Sequence, residues 1–310
     1  MKTSLIKTLL FLAVPAVIIT ACQPGEVKTN LAENVETEIK QQTPDPEEAE
    51  IKALIEDLLF AAGNYNIEDL DEMVSDKANL GIAVFRDGVW KNSVVTISEY
   101  FENVRNRKLE PYYEPVNEYI IHVNEGQIAF VWADATLCKY GVPRTNNIDN
   151  FTLIKEDGEW KFLNLSFTNK QLPEESRKYN IEIFARSYAQ AWGSNRPGFV
   201  ASYFAEDGSI RVNEGEPAIG RDAITKFAEG FMTDLPDMIV RYDSIVSKTD
   251  GTEFHWTLIA TNTGPGGTGN KIKVSGYEFW QLDENGIIRN SQGHFPSKEY
   301  NRQLKFGIDN

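Results

Sequence analysis

The sequence predicts an α+β protein in which one plan, helices followed by an antiparallel sheet, occurs twice in tandem. The first observation is a helical spacing of apolar residues that appears at 51–62 and again at 181–192. The second is that strand-like runs follow the helical patterns in each half, which is typical of an α+β protein. The third is a hairpin signal in each half, Asp157-Gly158 and Asn285-Gly286.

The helical patterns of the two halves follow one template. Apolar residues fall at i, i+3, i+4, i+7, i+8 and i+11 in both, namely Ile51, Leu54, Ile55, Leu58, Leu59 and Ala62, then Ile181, Phe184, Ala185, Tyr188, Ala189 and Trp192. Each pattern stops at a glycine, Gly63 or Gly193, as at a helix C-terminus. Short helices are predicted at 67–74 and 197–204, and third helices from about Ser98 and Arg221.

Strand patterns complete each half. They cover VNEYIIHVNEGQIAFVWADATL in the first half and IVRYDSIVSKTDGTEFHWTLIAT in the second, and a hairpin ends both halves. The segment 171–178 connects them. We therefore predict a first domain at 47–170 and a second at 179–310, each with about three helices on its sheet.

The N-terminus predicts a cleaved signal and a membrane anchor. Lys2 and Lys7 precede an apolar run at 9–19, which is too short for a transmembrane helix but suits a signal peptide. The sequence Ile-Thr-Ala-Cys at 19–22 resembles the lipobox of bacterial lipoproteins, which implies cleavage after residue 21 and lipid on Cys22. The alternative is an ordinary signal peptide with a chance cysteine. Residues 22–46 then form a flexible tether.

The net charge and the cysteine and histidine content limit the classes of partner and cofactor that we expect. The net charge of −15 repels phosphate, so a nucleic-acid partner is not expected. Lipid on Cys22 would leave Cys138 without a disulfide partner, and we expect Cys138 to be a buried small hydrophobe. No paired-cysteine motif exists, and no two histidines stand at an i, i+4 spacing, so we expect no metal and no cofactor. Gln23, in place of an aspartate, favours the outer membrane.

Several motifs of the second half resemble a known superfamily. They are FAEDGSIRVNEGEPAIGRDAITKFAEGF at 204–231, then TNTGPGGTG, KVSGYEFWQLDENGII and QGHF. Together they resemble nuclear transport factor 2-like proteins, especially the SnoaL-like branch, over residues 180–308. The first half is similar only in layout and in DGEWKFLNLSF. The resemblance implies a cone, a bent sheet wrapped around helices with an apolar pocket, which serves isomerases, cyclases, dehydratases, hydrolases and plain binding proteins alike.

The resemblance also suggests site residues. Steroid-isomerase members pair a tyrosine on the first helix with a buried acid on a late strand, and these positions fall on Tyr188 and Glu278. Their general base falls at Val212, or at Asn213 if the register slips, and neither can abstract a proton. In the first half the positions of Tyr188 and Glu278 fall on Leu58 and Asn150. We therefore interpret the first half as degenerate or structural.

The residues themselves leave alternatives open. Strand alternation groups Glu278 with Trp280 on one face, but both faces are aromatic, so Glu278 faces either the pocket or solvent. A pocket position would raise its pKa and make it a donor to a carbonyl oxygen. Tyr188 is either its partner or simply core. His294, at the end of the last strand, is either an acid/base group at the pocket mouth or merely exposed.

Three hypotheses for function follow. The first is a membrane-tethered module that binds a small apolar or carbonyl-bearing molecule in the second domain, with Trp192, Trp256 and Trp280 shaping the pocket wall. The second is a cyclase, isomerase or hydratase that uses Tyr188, Glu278 and His294. The third is a non-catalytic assembly module, in which sheet faces pair within the chain as a pseudo-dimer or between two chains as a homodimer.

Overall fold

A computed structural model of the chain describes residues 45–106 and 108–308. The predicted signal peptide, Cys22 and the tether up to residue 44 lie outside these residues. The first helix already begins at Pro46, because the Asp45 side chain caps it by accepting from the Glu47 N–H at 3.0 Å. No helix within the described ranges is long and apolar enough to cross a membrane.

Each half contributes two helices at its start and a third between strands. In the first half they are α1 (Pro46–Gly63), α2 (Ile67–Met73) and α3 (Ile97–Arg105). In the second half they are α4 (Ile181–Trp192), α5 (Pro197–Ser202), α6 (Arg221–Asp234) and the closing α7 (Ser297–Phe306). A 3₁₀ turn at Glu174–Ser176 lies between the halves. The apolar stripes predicted for α1 and α4 face the two cores.

Two separate six-stranded sheets follow the same strand order. The first holds β1 (Val74–Arg86), β2 (Val89–Thr96), β3 (Val116–Asn124), β4 (Ile128–Lys139), β5 (Val142–Glu156) and β6 (Glu159–Gln171). The second holds β7 (Phe204–Val212), β8 (Ala218–Ile219), β9 (Ile239–Ser247), β10 (Thr252–Thr261), β11 (Lys271–Leu282) and β12 (Ile288–His294). The orders are β2-β1-β6-β5-β4-β3 and β8-β7-β12-β11-β10-β9.

The predicted fold class is confirmed, since each sheet packs on helices around its own apolar core. One feature was not predicted: β1 and β6 are parallel, as are β7 and β12, so both sheets are mixed. Such a pair joins the first and last strands of a half, and nothing local in the sequence reports it. We call α1–α3 with β1–β6 the first cone, and α4–α7 with β7–β12 the second cone.

The two hairpin signals have different outcomes. Asp157 and Gly158 form the predicted two-residue turn, with φ of 51° and 91°. Asn285 and Gly286 instead lie in a five-residue loop between Leu282 and Ile288. The Asp283 carboxylate organises this loop, because its Oδ1 accepts from the backbone N–H groups of residues 285 and 287 at 2.9 and 3.0 Å.

The glycines that end α1 and α4 have a structural reason other than the left-handed backbone. Neither Gly63 nor Gly193 has a positive φ. A Cβ on Gly63 would collide with the Tyr112 carbonyl oxygen of its own half and would lie 2.8 Å from Gln190 Nε2 of the second half. A Cβ on Gly193 would lie 3.1 Å from the Phe60 ring of the first half. Both glycines therefore allow the two cones to approach closely.

The two cones meet through α4 and the loop after it. The Gln190 amide donates to the Tyr112 carbonyl at 2.8 Å, and the Arg196 guanidinium donates to the Tyr65 carbonyl at 2.8 Å. Tyr113 and Cys138, which exchange backbone hydrogen bonds, lie on the first-cone side near this junction. Cys138 is fully buried, as expected.

Candidate functional site

Each cone contains a cavity lined by its sheet and helices. The second-cone cavity measures about 50 Å³ and the first-cone cavity about 380 Å³. The smaller one is lined by Trp192, Ile210, Val212, Phe227, Phe231, Met238, Val240, Trp256, Leu258, Glu278, Gly293 and Phe295. Glu278 is the one titratable side chain in that list, so all acid–base chemistry facing this cavity rests on it.

Strand β11 directs Glu278 into the second cone. Ile272, Val274, Glu278 and Trp280 alternate along the strand and are all buried, whereas Tyr277 lies on the opposite face. Glu278 therefore lies on the interior face of the sheet, which strand alternation in the sequence alone could not decide. Glu278 is 6% exposed and borders the cavity.

Three donors converge on one oxygen of Glu278. Its Oε2 accepts from the Ser291 hydroxyl at 2.7 Å, from Trp280 Nε1 at 2.9 Å and from the Tyr188 hydroxyl at 3.1 Å. Among the described residues, no donor is bonded to Oε1. The Tyr188–Glu278 pair therefore exists, within a larger network that includes Ser291, which sequence reasoning missed.

Burial dominates the acid–base behaviour of this pair. Desolvation raises the pKa of Glu278 above its usual range, while the hydrogen bonds from Trp280, Ser291 and Tyr188 oppose that rise. The pKa of Tyr188 is raised by its own burial and then by the nearby charge of Glu278. The phenol therefore stays neutral and donates, and Glu278 is more readily protonated than an exposed glutamate.

Tyr188 is at once core and partner. It is fully buried and makes edge contacts with several rings, including those of Trp192, Tyr203 and Trp280. Tyr188 is thus both a core residue and the hydrogen-bond partner of Glu278, which the sequence analysis had treated as alternatives. The ring is held by packing, which fixes the position of its hydroxyl on Glu278.

The three tryptophans have different places. Trp192 and Trp256 line the second-cone cavity, whereas Trp280 lies behind it, stacked on Phe254 with ring centroids 4.7 Å apart. Trp256 Nε1 is buried and has no hydrogen-bond partner among the described residues. An unpaired buried donor beside a cavity calls for an explanation, and a ligand acceptor would supply one.

His294 is not brought to the cavity. It pairs in register with Tyr277, and the two rings lie 4.8 Å apart on the face of the sheet opposite Glu278. His255 stacks on the other side of Tyr277. The sheet therefore separates His294 from Glu278, and the three expected catalytic groups do not form one constellation.

The sequence left two candidates, Val212 and Asn213, for the position expected for a general base, and their side chains point to different places. Val212 lines the second-cone cavity. The side chain of Asn213 instead donates to the Ser297 hydroxyl at 2.8 Å and accepts from the Phe295 N–H at 3.2 Å. An apolar side chain thus occupies the position.

The residue of the first cone equivalent to Glu278 follows from the strand register. After a bulge, the parallel ladders resume at Asn79–Asn164 in the first sheet and at Ser209–Asn290 in the second. Three residues further, the pairs are Ile82–Phe167 and Val212–Gly293. The antiparallel partner of Gly293 is Glu278, and the antiparallel partner of Phe167 is Asp149.

The assignment of Asn150 as the first-half equivalent of Glu278 is therefore wrong by one residue. Asn150 is exposed, whereas Asp149 is 5% exposed and lines the first-cone cavity. Counting back from the hairpin cannot find this position, because bulges interrupt the pairing. The signal that could have found it is the alternation of β5, where Thr145, Asn147, Asp149, Phe151 and Leu153 are all buried.

Comparisons with known proteins agree with the fold. Residues 185–290 match the family model of the SnoaL-like domain. No curated protein sequence matches the chain. The prediction of a SnoaL-like domain in the second cone is thus confirmed at the level of the family, which has ligand-binding and enzymatic members. The match lies wholly within the second cone.

Three solved structures illustrate the likeness. A protein with a ketosteroid isomerase-like fold from Catenulispora acidiphila, crystallised with trimethylamine, is 16% identical, with 38% of this chain and 88% of that chain covered and a TM-score of 0.35. An NTF2-like protein from Burkholderia pseudomallei is 16% identical, with 41% of this chain and 98% of that chain covered and a TM-score of 0.36. An NTF2-like protein from Exiguobacterium is 19% identical, with 35% of this chain and 94% of that chain covered and a TM-score of 0.31. Such distant likenesses carry no argument about activity.

Proposed function

We propose that this chain is a membrane-tethered, extracytoplasmic protein that binds a small apolar molecule through its carbonyl group in the second-cone cavity. The observation that carries the proposal is the placement of Glu278, which holds three donors on Oε2 at the wall of an otherwise apolar cavity. Buried acids held in this way serve as hydrogen-bond donors when neutral.

The hydrogen bonds decide where a proton resides on neutral Glu278. Because Oε2 already accepts three hydrogen bonds, protonation is favoured on Oε1. A protonated Oε1 donates to a ligand oxygen, and the unpaired Trp256 Nε1 offers a second donor at the same cavity. Two donors and no titratable base favour binding of a carbonyl oxygen.

The size of the cavity sets the size of what enters it. About 50 Å³ is well below the ~150 Å³ that holds a benzene molecule in an engineered cavity. Phe227, Phe231 and Phe295 in its wall are only half-buried, so the cavity reaches towards the surface. The ligand is therefore a very small ketone or aldehyde, or a larger one that inserts its carbonyl end.

The enzymatic alternative is a cyclase, isomerase or hydratase. The Tyr188–Glu278 contact of 3.1 Å favours it, because a tyrosine and a neutral acid stabilise a developing oxyanion. Against it stand Val212 at the position of the base and His294 on the far face of the sheet. Binding without chemistry is therefore the preferred proposal, and an assembly role comes after both.

The test measures binding of cyclopentanone to the full-length chain in detergent, by ligand-detected NMR. Wild type should bind it at least tenfold more tightly than cyclopentane, and binding should weaken as pH rises and Glu278 ionises. Glu278→Gln, whose amide donates at every pH, should lose this pH dependence. Trp256→Phe should weaken binding about fivefold, the effect of one hydrogen bond.

Trp90→Phe is the matched control, because Trp90 lies in the first cone and is 47% exposed. Equal binding of cyclopentane, or a Trp256→Phe chain indistinguishable from Trp90→Phe, would overturn the proposed site. In the same cells, Cys22→Ser should release the chain from the membrane fraction. If Cys22→Ser stays in the membrane fraction, the lipid anchor, and with it the outer-membrane location, is refuted.

A further inference from the structure

The first-cone cavity contains a buried carboxylate atom without a partner. Asp149 Oδ2 is buried and accepts no hydrogen bond among the described residues, and the whole residue is 5% exposed. Asp149 also lines the cavity of about 380 Å³. Burial of an unpaired carboxylate is unfavourable, so this atom points to a partner that belongs in the cavity.

A second acid lies in the same wall. The Asn147 amide donates to Glu114, and its own carbonyl oxygen accepts from the Thr145 hydroxyl at 3.0 Å and from the Asn169 amide at 2.6 Å. Asn147 is thereby fixed with its amide nitrogen bonded to Glu114, and no hydrogen bond from it to Asp149 is found. Glu114, Asn147 and Asp149 all line the cavity.

No side-chain cation in the part of the cavity wall that the structure describes balances these two acids. Lys139 is the one basic side chain among the described residues that line the cavity, and its ammonium contacts the Glu110 carboxylate at 2.9 Å. The phenols of Tyr65, Tyr100 and Tyr112 lie in the wall as well. Burial raises the pKa of Tyr112, so this phenol remains neutral.

Both acids bind protons near neutral pH. Desolvation, followed by the charges of Glu114 and Asp134, raises the pKa of Asp149 to about 8. Desolvation raises the pKa of Glu114 to about 7, against the hydrogen bond from Asn147. At pH 7 to 8 the pair thus carries a net negative charge inside a largely apolar chamber.

We propose that the first-cone cavity binds a small organic ammonium ion, whose cationic nitrogen contacts Asp149 and Glu114 while its apolar body packs on the aromatic wall. The wall includes Phe101, Phe151 and Phe167, and aromatic faces also attract cations. The volume suits a molecule larger than benzene. This site is separate from the one proposed in the second cone.

Other ligand classes fit less well. An anion is repelled by the acid pair, and a neutral acceptor leaves the negative charge unbalanced. A metal ion requires more ligands, and nowhere in residues 45–106 and 108–308 do three or more His, Cys, Asp or Glu side chains group to hold one. An ammonium ion needs only the acids present and uses the apolar remainder of the cavity.

The test compares two probes of nearly equal shape, 2-phenylethylamine and 2-phenylethanol, by isothermal titration calorimetry on the full chain in detergent. The amine should bind at least tenfold more tightly than the alcohol. Binding should strengthen between pH 6 and 8.5, and buffers of different ionisation enthalpy should show proton release at pH 7, because the cation displaces protons from the two acids. Equal binding of the alcohol, or no pH dependence, would overturn the proposal.

Variants then assign the site. Asp149→Asn should weaken amine binding at least tenfold, whereas Glu118→Gln, the same carboxyl-to-amide replacement on the exposed face of β3, should leave it unchanged. Glu114→Gln gives a second reading if Asp149→Asn does not fold, and it should also weaken binding and reduce proton release. Amine binding that survives substitution of either acid would refute the site.

Discussion

The two cones share one strand order but treat the acid of their fifth strand in opposite ways. In the second cone Glu278 has three donors and borders a cavity of about 50 Å³. In the first cone Asp149 leaves a carboxylate oxygen unpartnered beside a cavity of about 380 Å³. The position of the acid is thus a property of the fold, whereas its environment is set by the side chains around it.

The difference traces to three substitutions between the halves. The donors Tyr188, Trp280 and Ser291 are equivalent, by helix template and strand register, to Leu58, Phe151 and Leu165. All three replacements are apolar, and all three line the first-cone cavity. Removal of the donors therefore explains both the unpaired acid and part of the larger empty volume.

The largest expected effect comes from truncating the aromatic residue beside each acid. Trp280→Ala should lower the free energy of unfolding by about 5 kcal/mol, because Trp280 is fully buried and its loss also removes a donor from Glu278. Phe151→Ala should lower it by about 3 kcal/mol, since Phe151 already borders empty space. Urea unfolding followed by circular dichroism measures both, and equal losses would contradict the packing difference.

The sequence supported much of this comparison and misplaced one part of it. Helical spacing located Tyr188, and strand alternation grouped Glu278 with Trp280, because both signals are local. The pairings β1–β6 and β7–β12 are long-range and carry bulges, so the count that led to Asn150 missed Asp149 by one residue. A shift of one residue in a strand reverses the face.

His294 shows the same sensitivity in the second cone. A histidine at a strand end is a reasonable acid–base candidate from sequence, but its neighbour Gly293 is the residue that lines the cavity. The alternation of β5 could have located Asp149, but its missing hydrogen-bond partner had no sequence signal. That absence depends on the apolar side chains of Leu58, Phe151 and Leu165, which have no donor to offer. Polar networks of this kind become visible only in three dimensions.

A second prediction uses the pH dependence of stability. Asp149 and Glu114 bind protons in the folded chain up to about pH 8 and about pH 7, whereas in the unfolded chain they release them near 4. The folded state therefore binds more protons over this window, and the free energy of unfolding should fall by about 4 kcal/mol between pH 6 and 8. Urea midpoints across this range measure the slope.

Two variants sharpen that measurement. Asp149→Asn should flatten the slope, because position 149 no longer titrates and Glu114 loses a neighbouring charge. Glu118→Gln should retain the wild-type slope, since Glu118 is exposed. A slope unchanged in Asp149→Asn would show that the first-cone acids are not the groups responsible.

The smallest effect tests the empty space directly, through one enlarging substitution at equivalent positions of the two cones. Leu80 and Ile210 are both buried, and each lines its own cavity. Ile210→Phe should cost about 1.5 kcal/mol of unfolding free energy, because the second-cone cavity cannot accept a ring without displacing its neighbours. Leu80→Phe should change stability by less than about 0.5 kcal/mol, because the added atoms enter space that already exists.

Leu80→Phe should also exclude 2-phenylethylamine from the first cone while the circular dichroism spectrum stays native. Equal destabilisation by both substitutions would mean that the larger cavity is not open space in the folded protein.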